Sequence, residues 1–328
     1  MPPAILLLLL IAALMHATWN VLLKTASDPL RTAGRGMLVG AAALIPLALV
    51  GWSISGQPPI PADAWRLAVL SGLLEAAYFI FLSAAYRRGD LSLVYPIARG
   101  TAPVLAVGVG VVILGERLEL AGWIGVGLLL TGILGLQKPW AILRRGSTLP
   151  HHVREAAGFA LLTGVTIASY SAVDRDGARL IDPLFYAAML WTFTTIFLMT
   201  WIGVAVLRDR RRLAAGGPSA ALAAAAVEPP SGEEDAGQPG PLGRLLRRTW
   251  VRAGIGGLIT VAAYLFVLIA YRFAPLTAVA PLRESAIVLI SGWGSFRMKE
   301  ATNRRDASAR IGLAVLVLIG AVLLAAEG

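Results

Sequence analysis

Ten stretches of this chain approach or exceed the length needed to cross about 30 Å of hydrocarbon. They run Ala4–Leu23, Gly36–Trp52, Leu67–Tyr86, Leu91–Gly115, Ala121–Leu136, Ala156–Val173, Pro183–Leu207, Ala253–Tyr271, Pro275–Phe296 and Ala309–Ala326. No other feature restricts the fold so severely. In lipid every backbone polar group must be satisfied within the protein, which leaves helices and closed barrels. Barrel strands are short and alternate apolar with polar residues; these runs are long and do not alternate. The reading is an all-α integral membrane protein with ten transmembrane helices. Composition agrees, since charged residues make up 15% of the 328 positions against about a quarter in a soluble domain. The opening stretch has no Lys or Arg before Lys24, so it reads as a retained first helix and not as a signal peptide, which starts with a basic region.

Arg208 to Arg252 breaks the pattern. Its middle is rich in Ala, Gly, Pro and Glu with no aromatic residue, the composition of a disordered linker. Lys and Arg are unevenly shared among the loops. Loops after odd-numbered helices hold 22 and loops after even-numbered helices hold 5; without the linker the ratio is still 14 to 5. The positive-inside rule places the odd loops and the 208–252 linker in the cytoplasm and both termini outside. The formal charge of +10 is thereby explained as orientation in a membrane. No basic reading helix appears, so nucleic acid is not an expected partner.

The chain also echoes itself. "AYRRGDLSLVYPIARG" (85–100) resembles "AYRFAPLTAVAPLRES" (270–285), and "VLAVGVGVVILGE" (104–116) resembles "VLISGWGSFRMKE" (288–300) at an offset of 184, which lays Arg99 on Arg283. Pro96 and Pro281 differ by 185, so one residue has been gained or lost between them. "ATWNVLLK" (17–24) has a fainter echo in "ASYSAVDR" (168–175). Five helices per copy force the second copy to be inverted across the membrane, an architecture used by carriers with a site at the repeat interface. The expected organisation is a first repeat over 1–137, an inter-repeat loop over 138–154, and a second repeat over 155–327 interrupted by the 208–252 linker.

Charges inside the apolar runs are the candidates for function. An Arg near the middle of a membrane helix costs about 2.5–3.5 kcal/mol on insertion scales, so Arg99 and Arg283 require compensation from another helix, water or a ligand. Glu75 and Glu284 are equally out of place, and His16 and Asn20 share a face of the first helix with Trp19 beside them. One reading is a polar cavity at the repeat interface, with both arginines facing substrate. The other is packing: a buried pair of Arg99 with Glu75 or of Arg283 with Glu284, a structural hydrogen bond at His16, and Trp19 and Asn20 as core. Pro96, Pro103 and Pro281 bend helices and free carbonyls, which in lipid are tolerated beside a cavity or inside protein; a packing kink is the alternative. Tyr78 is one of several aromatics able to line a pocket. Small residues such as "GWIGVGLLLTGILG" (122–135) permit close helix approach, either within the bundle or in a homodimer. Glu116 and Glu300 are expected to cap the next helix or pair with loop arginines.

Several classes are disfavoured. There is no Walker motif, HExxH or GxSxG, and no cysteine for a thiolate metal site, so no cofactor is called for. An intramembrane enzyme using Glu75 and His16 lacks a recognisable nucleophile. A non-transporting scaffold or receptor that uses the linker for docking is the main alternative to a carrier.

"HATWNVLLK" (16–24), "AYRRGDLSLVYPIARGTAPVLA" (85–106), "LGE" (114–116) and "YRFAPLTAVAPLRE" (271–284) resemble the drug/metabolite transporter superfamily, EamA-type branch. The resemblance implies a ten-helix inverted-repeat carrier in a bacterial inner membrane, working by alternating access, as a monomer or homodimer among membrane lipid. It implies a substrate held between the halves, the family's substrates including amino acids, sugars and nucleotide conjugates, organic phosphates and drugs. Arg99 and Arg283 lining one cavity favour a small polar, anionic or zwitterionic metabolite, and Glu75, Glu284 and His16 are the candidates to carry a coupling proton. On matching positions, Pro96 and Arg99 carry over to the fourth-helix site region, and His16, Trp19 and Asn20 to the first-helix cavity face. Arg283, Glu284, Glu75 and Tyr78 complete the expected substrate-binding set.

Overall fold

A computed structural model describes residues 1–89, 91–137, 150–214, 249–284 and 304–326. Among the described residues it is all helical. The elements are α1 (Pro3–Lys24), α2 (Pro29–Ile54), α3 (Ala62–Arg88), α4 (Leu91–Val112), α5 (Leu120–Gln137), α6 (His151–Leu180), α7 (Pro183–Ala214), α8 (Thr249–Tyr271), α9 (Leu276–Glu284) and α10 (Arg304–Ala326). Six of them, α1, α2, α3, α6, α7 and α8, are long and apolar enough to cross a membrane, and shorter apolar helical stretches cover 97–112, 120–135 and 315–324. The expectations for residues 138–149, 215–248 and 285–300, including Glu300, lie outside the described residues, as do those for the side chains of Pro96 and Glu284.

Helix starts follow from local chemistry. At α2 the Asp28 side chain accepts the Arg31 N–H at 3.0 Å, with Pro29 next. At α7 Asp182 accepts the N–H groups of Leu184 at 3.0 Å and Phe185 at 3.2 Å, followed by Pro183. In both, a carboxylate satisfies orphan amides and proline supplies a preset φ where no donor is needed.

The end of α6 corrects the expected boundary. It continues past Val173 through Asp174, Arg175, Asp176 and Arg179 to Leu180, where Ile181 turns extended ahead of Pro183. Loss of hydropathy marks the edge of hydrocarbon, but a helix has no reason to stop there. Arg175 and Arg179 are therefore helical residues and not loop residues.

The packing is between elements far apart in sequence. α2 packs on α7 and α8, α3 on α6 and α7, α4 on α6 and α9, α1 on α8, and α5 on α10. Small residues allow it. A Cβ on Gly257 would overlap the Gly36 carbonyl oxygen, so α2 and α8 meet backbone to backbone. Gly125 and Gly320 oppose each other between α5 and α10, and Gly132 and Gly135 face Val317 and Leu313. These three glycines of the 122–135 run thus serve packing within the chain. Leu7, Leu47, Val50, Val112, Ile196, Trp201 and Leu318 lie exposed while Glu75, Arg99, Asp174 and Arg283 are buried. That inside-out distribution suits a lipid-facing surface and a polar interior.

Candidate functional site

The buried charges converge. Arg99 of α4 and Arg283 of α9 are 4% and 2% exposed. Arg99 Nη2 donates to the Tyr78 hydroxyl of α3 at 3.4 Å. Arg283 Nη1 donates to Ser171 Oγ of α6 at 3.3 Å, and its guanidinium lies 5.9 Å from the centre of the Tyr170 ring. The two neighbourhoods touch, because Tyr78 and Tyr170 stand edge to face with centroids 6.0 Å apart. Aromatic contacts then run from Tyr170 to Tyr264 (5.6 Å), Tyr264 to Trp191 (5.8 Å), Trp191 to Phe79 (6.5 Å) and Phe79 to Trp19 (5.6 Å). Rings from α1, α3, α6, α7 and α8 therefore wall one region, into which α4 and α9 each place a guanidinium.

Glu75 of α3 and His16 of α1 lie within electrostatic range of both arginines. Glu75 is buried within the fields of both guanidinium groups. Both His16 ring nitrogens are buried without a hydrogen-bond partner among the described residues. Asn20 Nδ2 donates to the His16 carbonyl at 2.7 Å, leaving its Oδ1 buried and unpartnered. Trp19 is buried against Phe79. Of the residues singled out in sequence, Arg99, Arg283, Glu75, His16, Asn20, Trp19 and Tyr78 thus come together.

Sequence reasoning missed Asp174. It is wholly buried in α6, where Oδ1 accepts the Tyr186 hydroxyl at 2.9 Å and Oδ2 accepts the Tyr264 hydroxyl. Gly177, one turn further on, makes this possible: a Cβ there would overlap the Tyr186 ring. A signal was present. Tyr170, Asp174, Gly177 and Ala178 recur at helical spacing and continue the buried face of α6.

Each end of the bundle carries its own fastening. At the even-loop end Glu116 accepts the N–H groups of Leu276 at 2.8 Å and Thr277 at 2.9 Å, the first turn of α9, while Arg175 Nε lies 3.3 Å from the same carboxylate. Arg179 donates to the carbonyls of Tyr271 (2.7 Å) and Ala274 (3.2 Å). Glu116 caps a helix and pairs with an arginine, but the helix is α9 and not the next one, α5, and the arginine lies within α6 and not in a loop. At the odd-loop end Arg252 donates twice to the Leu22 carbonyl, and Arg88 meets Glu155 at 3.3 Å.

Comparison with known proteins shows what the chain is similar to. Residues 3–137 match the model of the EamA-like transporter family. The first five helices are thus similar to an EamA-like transporter family domain. A Sinorhizobium sp. protein described as an "uncharacterized transporter in cobO 3′ region" is 35% identical over 75 residues, 23% of this chain and 52% of that one. The alignment thus spans about half the length of that curated relative. A solved crystal structure is similar over 99% of both chains at 18% identity with a TM-score of 0.62, a likeness of fold. Together with the six helices long and apolar enough to cross a membrane, the EamA match supports a multi-pass membrane protein similar over its first five helices to transporters.

Proposed function

We propose that the chain is a secondary carrier that moves a small polar or anionic metabolite, an amino acid or a related compound, across the bacterial inner membrane by alternating access. One observation carries the reading. Two guanidinium groups, on α4 and α9, are buried in a single aromatic-walled region, each donating to a hydroxyl there. Two arginines retained at that cost suit a carboxylate-bearing substrate.

The architecture proposed is two inverted five-helix repeats, 1–137 and 155–327, joined by the 138–154 loop, with the 208–252 linker in the cytoplasm and the termini outside. Supporting it are the matched sequence segments, the identical Asp-Pro starts of α2 and α7, and the packing of α2 on α7, α4 on α9 and α5 on α10. Met1, Arg117, Phe273 and Leu324 border one hollow of about 270 Å³, which agrees with termini and even loops sharing a face. A coupling proton is part of the proposal.

Purified protein in proteoliposomes, challenged with a panel of labelled amino acids and small carboxylates, tests the reading. Uptake or counterflow of at least one compound, lost in both R99A and R283A, is the expected result. A panel with no transported member, or transport indifferent to both substitutions, removes it.

A further inference from the structure

Another hollow lies away from the buried arginines. It measures about 430 Å³ and sits at the even-loop end of the bundle, where the end of α2, the turn from α6 to α7 and the residue after α8 come together. Trp52, Ser55, Pro58, Asp182, Phe185 and Arg272 line it. Its walls are fastened locally. Trp52 Nε1 donates to the Pro58 carbonyl at 3.0 Å, which folds the segment after α2 back on its helix. The Trp52 and Phe185 rings meet with centroids 5.9 Å apart and tie α2 to the start of α7. Ser55 Oγ donates to the Gly51 carbonyl at 2.9 Å, so its proton is already engaged.

Two charges of opposite sign border the hollow. Asp182 Oδ1 accepts the amides of Leu184 and Phe185, which leaves Oδ2 for another donor. Arg272 is exposed. Among the described residues these two side chains share the hollow without forming an ion pair with each other. A ligand carrying both signs of charge matches that arrangement.

An apolar trough continues from the hollow. It measures about 230 Å³ and runs between α2, α3 and α7, past Ile45, Leu49, Trp65, Met189 and Phe193. Phe185 borders both spaces. On α2, Ala48 lines the trough while Gly51, Trp52 and Ser55 line the hollow, a spacing of three, four and seven that keeps them on one helix face. On α7, Phe185, Ala188, Met189 and Thr192 repeat that spacing. The Thr192 hydroxyl donates to the Ala188 carbonyl at 2.6 Å, so the trough offers a ligand no free polar hydrogen. Leu47, Val50 and Trp65 around it are exposed, as on a surface that faces lipid. From Phe185 to Phe193 α7 rises about 12 Å, most of the roughly 15 Å of hydrocarbon in one leaflet.

We propose that hollow and trough together bind one aminophospholipid from the leaflet at the even-loop end. Its phosphate accepts from Arg272 and its ammonium donates to Asp182. One acyl chain lies in the trough between α2 and α7, with Trp52 and Trp65 at the level where aromatic rings favour the membrane boundary. A soluble zwitterion would fill the hollow and leave the trough empty. An anionic lipid without an amine would set its phosphate beside Asp182 with nothing to offset the repulsion. The site is separate from the region of Arg99 and Arg283 and does not depend on the carrier reading.

Native mass spectrometry of the full-length protein in detergent, supplied with equal amounts of phosphatidylethanolamine and phosphatidylglycerol, tests this. The first bound lipid is expected to be phosphatidylethanolamine, in several-fold excess. R272Q removes the phosphate contact and should weaken both lipids several-fold. D182N removes the negative charge while asparagine still caps α7, and it should abolish the preference between the lipids. Glycerophosphoethanolamine, the same headgroup without chains, should bind at least roughly tenfold more weakly. Equal binding of the two lipids to the wild type, a preference that survives D182N, or affinity unchanged in R272Q overturns the proposal. So does glycerophosphoethanolamine that binds as well as the lipid, which would mark a site for a soluble zwitterion. Melting temperatures show whether each variant is folded; if R272Q is not, the lipid preference of D182N decides.

Discussion

Arg99 and Arg283 were legible because a guanidinium in an apolar run has no cheap explanation. Their partners were not, since Tyr78 and Ser171 lie 21 and 112 positions away. Lysine keeps the charge but loses the planar set of donors, so R99K and R283K are expected to fold and to lose transport by roughly tenfold or more, read as initial rates in proteoliposomes. Glu116 offers a sharper stability test. E116A leaves the amides of Leu276 and Thr277 buried without their acceptor, at about 1–3 kcal/mol for each such group. E116Q keeps one carbonyl acceptor and loses the ion pair with Arg175. Thermal melting in detergent should rank wild type above E116Q and E116Q above E116A. Asp174 escaped notice because hydropathy falls at Val173, and an acidic residue just beyond an apolar run ordinarily belongs to a loop.

At the level of helices, the six long apolar ones were visible in the sequence because hydrocarbon thickness imposes a minimum apolar length. Their ends were less visible. α2 begins at Pro29, ahead of the apolar run, because Asp28 caps it there; α6 extends to Leu180 for want of any stop signal before Pro183. The pairing of helices was hidden, since glycine spacing permits close approach without naming the partner. Gly177 gives a test of one such approach. G177A pushes a methyl group into the Tyr186 ring, and overpacking of this kind costs about 1–3 kcal/mol. The G177A/Y186A double variant should recover part of that loss, a coupling that melting of all four proteins measures. If the two changes simply add, Gly177 does not hold Tyr186 in place.

For the molecule as a whole, the absence of cysteine makes orientation measurable with single introduced thiols. S55C, in the segment after α2, should react with a membrane-impermeant maleimide added to intact cells. S27C, after α1, should react only once the membrane is opened. The reverse pattern would invert the proposed topology. The 208–252 linker gives another whole-molecule test. Deleting 215–241 touches none of the contacts described between helices, so melting and transport are expected to stay at wild-type levels. Loss of a bound protein with transport intact would assign the linker a separate docking role. The echo between the two halves was readable in sequence where it preserved prolines and arginines. The shared Asp-Pro helix starts went unremarked, because two residues in 328 carry no weight until their hydrogen bonds are seen.

The Glu116 carboxylate has a mechanical meaning. It sits just beyond α4, which carries Arg99, and it grips the first turn of α9, which carries Arg283. A displacement of α4 along its axis is handed to α9 through two backbone amides, so the two guanidinium groups are yoked. In the carrier proposed above, a pull on one arginine is therefore passed to the other.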